Sequence, residues 1–236
     1  MSFRYYLLKL FFFLTLPILA VLLYFYGGDA GHFDYIYIGA LCTSCVFCGK
    51  DRDTLGALLI LLGYWCLSKP LFWAPDNPFY WFVIYGACFG VSFYYLNHIT
   101  AKILLLFVIF SVGAEIYWWC IAYESRPRMI YWVGLLALTV WLRQLLFNRV
   151  FLMHEYFGHS SGKVALDSHI GKILLVYYAL VVLMITEYFA RHLASLHELM
   201  LIYNLFTPVS TLLSALTLAV IYMHYFYNQS QKYLAV

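Results

Sequence analysis

The stretch "ILLLFVIFSVGAEIYWWCIAY", Ile103 to Tyr123, carries a single formal charge, Glu115. Its length matches the roughly 20 apolar residues a helix needs to cross a hydrocarbon layer of about 30 Å. A membrane strand would alternate apolar and polar residues over about 10 positions, and this run is apolar on every side. In lipid, only a helix satisfies each backbone N–H and C=O within such a segment. The stretch reads as a transmembrane helix.

The same rule applied along the 236 residues predicts an all-α, polytopic integral membrane bundle of about eight transmembrane helices. The expected spans are 5–26, 33–49, 54–73, 78–97, 103–123, 129–149, 171–190 and 199–226, all within one transmembrane domain, 1–236. The second span is short, and a count of seven follows if 33–73 forms a re-entrant pair. Residues 5–26 exceed a signal-peptide core and precede no small-residue cleavage site, so they read as a retained span. Connections such as "KDRD", "APDN" and "ESRPR" are brief, and the longest is expected over 150–170.

Composition agrees. Apolar residues make up 65% of the chain and charged residues 11%, where a soluble domain is about half apolar and a quarter charged. The net charge of +3, without a basic run, excludes nucleic acid as a partner. Membrane lipids and other membrane subunits are the expected partners. Aromatics reach 21%, through codon bias or through a subunit-facing surface.

Lysine and arginine set the expected orientation. With the N-terminus inside, Arg4, Lys9, Lys50, Arg52, Lys102, Arg143, Arg149, Lys163, Lys172 and Lys232 fall on the inner side. Lys69, Arg126, Arg128 and Arg191 fall outside. The bias predicts an N-in/C-in arrangement. Trp73, Trp81, Trp118, Trp119 and Trp132 then gather near the outer ends of their spans, as an interfacial belt does.

Intramembrane charges are functional candidates by default. Glu115 lies about 18 Å into its span at 1.5 Å per residue, and Arg143 and Glu187 lie within two others. The three are candidates for ion or proton handling. Each has a structural reading beside it: Glu115 as a hydrogen-bonded acid between helices, Arg143 as a snorkelling side chain beside Gln144, and Glu187 as an ion-pair partner of Arg191 four residues on. Pro208 is expected to kink its helix, with Ser210, Thr211 and Ser214 bonding freed carbonyls or neighbouring helices.

The segment "HEYFGHSSGKVALDSH" groups His154, Glu155, His159 and His169 as a possible inner-face polar or metal cluster. A zinc protease helix needs histidines four apart to share a face. His154 and His159 are five apart, about 140° around a helix axis left over from sharing one, so that motif is absent. Glu155 and His159 could pair, and His169 could add a third ligand. Cys42, Cys45 and Cys48 lie along one helix without a fourth ligand, and read as core thiols. No cofactor is predicted beyond bound lipid; the histidine segment leaves room for a metal or haem.

The expectation is a non-catalytic subunit of a larger membrane complex, energy-transducing and respiratory or proton-translocating, in a bacterial or mitochondrial inner membrane. The alternatives are a transporter or channel, and an intramembrane metal- or haem-dependent enzyme using His154–His169.

Overall fold

The computed structural model describes residues 30–73, 77–123, 127–158, 165–194, 196 and 198–234, with Tyr6, Lys9, Leu10, Leu14 and Ile18 nearer the start. Those five are helical and fall in the expected 5–26 span, the rest of which lies outside the described residues. Among the described residues all regular structure is helical. The elements are α1 (Ala30–Phe47), α2 (Arg52–Trp73), α3 (Pro78–Tyr94), α4 (Ile99–Cys120), α5 (Met129–Phe157), α6 (Ala165–Leu193) and α7 (Leu201–Leu234).

Five of these, α2 and α4–α7, are long and apolar enough to cross a membrane; α1 and α3 contribute shorter apolar helices. The chain is a helical membrane protein. Its helix starts follow from sequence. Asn77 caps α3 by accepting the Phe79 N–H at 2.9 Å, with Pro78 at the first helical position, where its missing N–H costs nothing. Asp51 precedes α2, and its Oδ2 accepts the Thr54 hydroxyl at 2.8 Å.

The long polar connection expected over 150–170 is corrected. Residues 150–157 continue α5, and α6 begins at Ala165. Hydropathy falls before the helix does, because Leu152, Met153 and Glu155 remain good helix formers. What stops α5 is Gly158, at φ 58°, a left-handed conformation that glycine adopts without steric penalty.

Two compact units divide the chain. The first comprises Met1–Leu62, Leu146–Ile173 and Leu205–Val236; the second comprises Gly63–Leu145 and Leu174–Asn204.

In the first unit, the Ser44 hydroxyl donates to the Ala40 carbonyl at 2.6 Å, so the Tyr222 hydroxyl, 2.8 Å away, donates to Ser44 and ties α1 to α7. Gly171 lets α6 approach Phe147 of α5, whose ring carbon would lie 3.1 Å from an added Cβ.

In the second unit, Tyr178 of α6 donates to the Thr100 carbonyl of α4 at 2.7 Å. Phe107 and Phe189 stack between the same helices with centroids 6.5 Å apart. At Gly134 of α5 an added Cβ would meet the Leu71 methyls at 3.1 Å, so α2 and α5 are close only because glycine stands there.

Candidate functional site

The most concentrated buried charge lies in the first unit, on a residue that sequence reading placed among the inner-side cations. Arg149 is 1% exposed. Its Nε and one Nη donate to the two Asp167 carboxylate oxygens, each at 2.9 Å, in the bidentate fork that suits guanidinium to carboxylate. The other Nη donates to the Asp53 carbonyl at 2.7 Å and lies 3.5 Å from the Asp53 carboxylate. Asp53 and Asp167 both stand in the first turns of their helices, where a negative charge also meets the positive helix end. Gly56, one turn after Asp53, leaves the space: an added Cβ would lie 3.4 Å from an Arg149 nitrogen and 3.3 Å from the Met153 sulfur. The result is a clasp of α2, α5 and α6 in which each guanidinium nitrogen is bonded.

Glu187, a candidate for ion handling, sits buried in the second unit. Its two oxygens accept the backbone N–H groups of Ile202 at 2.6 Å and Tyr203 at 3.0 Å. These belong to the first turn of α7, whose preceding residue, Met200, has no oxygen with which to cap. The cap therefore comes from α6. The expected Glu187–Arg191 ion pair is not what forms: the Arg191 guanidinium lies over the Tyr188 and Tyr203 rings, 5.8 and 6.0 Å from their centroids. The helix N-terminus, with its unsatisfied N–H groups and positive dipole end, wins the carboxylate.

Glu115 is 4% exposed on α4. It lines a cavity of about 360 Å³ formed by α3 and α4, whose wall also includes Trp81, Phe82, Tyr85, Phe89 and Trp119. Tyr85 is 7% exposed, and its hydroxyl has no hydrogen-bond partner among the described residues. The wall is almost wholly apolar, with a phenol and a carboxyl as its polar members. Chemically it can hold an apolar, lipid-phase molecule.

No family model, curated protein or solved structure matches this chain.

Arg143 is half-buried on α5 beside the buried Gln144. His154 and Glu155 are exposed on the last turn of α5, whereas His169 is exposed on α6 and bonds within its own helix, its Nδ1 2.7 Å from the Ala165 carbonyl. His159 lies outside the described residues. Among the described residues no three His, Cys, Asp or Glu side chains converge to hold a metal ion. The six cysteines are free thiols, Cys48 and Cys88 buried. Ser210, Thr211 and Ser214 bond back to carbonyls of their own helix at 2.9–3.0 Å rather than reaching across.

Sequence reasoning missed Arg149 and Tyr85. One signal for Arg149 was present: two aspartates, Asp53 and Asp167, open helices on the side where the expected topology has Arg149 end one. Tyr85 carried no signal among 23 tyrosines.

Proposed function

We propose that this chain is a non-catalytic, membrane-embedded subunit of a larger membrane complex, arranged N-in/C-in with eight spans in a bacterial or mitochondrial inner membrane. The observation that carries the reading is the internal use of its buried charges. Intramembrane ionisable groups ordinarily point to transport or catalysis. Here Glu187 caps α7 and Arg149 clasps α2 to α6 through Asp167 and Asp53, so both hold the chain's own helices in place.

The perimeter supports the same reading. Large apolar side chains such as Phe82, Tyr94, Trp119 and Met223 are exposed along the helices, which suits lipid and the apolar faces of neighbouring subunits. Aromatics and methionine are favoured at such contacts.

Gentle purification in a mild detergent, followed by native mass spectrometry, tests the proposal. Companion chains in fixed stoichiometry are the expected result. A stable species of one chain with bound lipid alone would reject it.

A further inference from the structure

We propose that the corner where α6 gives way to α7 binds a phospholipid by its headgroup phosphate, with Arg191 as the donor. The residues involved all lie in the second compact unit. The inference does not rest on the subunit reading.

Arg191 stands in the last turn of α6, a helix long and apolar enough to cross a membrane, so its side chain reaches the level of lipid headgroups. It is half-buried, and it pairs with neither Glu187, whose oxygens are held by α7, nor the exposed Glu198 of the connection. Its Nε is buried without a hydrogen-bond partner among the described residues, an exception that calls for a reason. What the chain supplies instead is a platform. The guanidinium lies over the rings of Tyr188 and Tyr203, 5.8 and 6.0 Å from their centroids. A guanidinium held by ring faces keeps its in-plane N–H groups for an acceptor, and their fork matches two oxygens of one phosphate.

The surroundings select a lipid over a free anion. Leu196, Leu199, Met200 and Leu201, in the connection and at the start of α7, are all exposed. Apolar side chains gathered around one cation suit a molecule that carries an acyl chain and a phosphate together. The chain covers the leucines while the phosphate meets Arg191. A free phosphate ion would leave the leucines uncovered, and a lipid without phosphate would leave Arg191 unanswered.

The test is native mass spectrometry of the full-length chain in a maltoside detergent, which carries no phosphate. Dioleoyl phosphatidylglycerol is titrated in, and dioleoyl galactosylglycerol, which lacks the phosphate, is titrated in parallel. One saturating phosphatidylglycerol adduct is expected, with the galactolipid bound about tenfold more weakly, the worth of hydrogen bonds to a charged group. Arg191→Gln should reduce phosphatidylglycerol to the galactolipid level, and Arg191→Lys should restore part of the difference. Lys102→Gln should change nothing, since Lys102 is exposed about 24 Å along α4 from Trp118, whose ring packs on His192 beside Arg191. Should Arg191→Gln fail to fold, Tyr203→Leu removes half the platform at an exposed position and should weaken the adduct about threefold. Equal binding of the two lipids overturns the proposal, as does a phosphatidylglycerol preference that survives Arg191→Gln or, in its place, Tyr203→Leu. Displacement of the lipid by excess inorganic phosphate also overturns it, since the site would then take the free ion.

Discussion

Arg149 shows how an arginine can be legible as a charge and illegible as a contact. Its long stem invites a snorkelling reading at a helix end, and hydropathy sees only one more cation. What the sequence cannot display is that Gly56 vacates the space and that Asp53 and Asp167 start helices beside it. Removing one member of a buried pair strands the others, which costs more than the pair contributes. Arg149→Met should therefore destabilise the chain by about 3–5 kcal/mol, read from unfolding in mixed detergent–SDS micelles. The double change Arg149→Met with Asp167→Leu should recover part of that loss, because fewer carboxylates remain stranded. Equal stability of wild type and Arg149→Met would show the clasp to be idle.

The helices themselves were readable, and their ends were not. Every expected span from 33 onward contains a helix at its place, five of them long and apolar enough to cross a membrane, since a run of about 20 apolar residues admits little else in lipid. The ends depend on caps, and caps are made of single residues or come from elsewhere in the chain. At the end of α4, the N–H of Tyr123 bonds to the Trp118 carbonyl at 2.9 Å while Ala122 sits at φ 50°. That is a helix stop which favours glycine, filled by alanine. Ala122→Gly should stabilise by about 0.5–1 kcal/mol, and the mirror change Gly158→Ala should cost about 1 kcal/mol. The α7 cap lies further beyond sequence reach, because its acceptor stands 15 residues upstream of Ile202 on another helix. Glu187→Ala should lose about 1.5–3 kcal/mol, the worth of hydrogen bonds to a charged group. Hydrogen exchange at Ile202 and Tyr203 should quicken, and unchanged protection there would remove Glu187 from the capping role.

For the whole chain, the Arg149 clasp bears on a question that hydropathy left open, whether seven or eight helices cross. Asp53 opens α2 and Arg149 lies near the end of α5, and the two are bonded, so those helix ends are expected on one side of the membrane. From Asp53 to Arg149 the chain must then cross an even number of times. The three longer helices between them, α2, α4 and α5, are span-length and apolar, which is an odd number. The short helix α3, 17 residues and so about 26 Å at 1.5 Å per residue, is then expected to supply the fourth crossing. Its length is just under the hydrocarbon thickness, a mismatch that local thinning or flanking side chains absorb at modest cost. Combined with the proposed N-in orientation, this parity predicts residues 77 and 127–128 outside and segment 95–98 inside. Truncated fusions in a bacterial host give the check. Alkaline phosphatase should be active when fused after 76 or 126 and inactive after 97, while green fluorescent protein should show the reverse pattern. An active phosphatase after 97 together with an inactive one after 76 would reverse the orientation but keep the parity. Activity after both 76 and 97 would instead make α3 a surface helix, and the bonded pair of Asp53 and Arg149 could not then form.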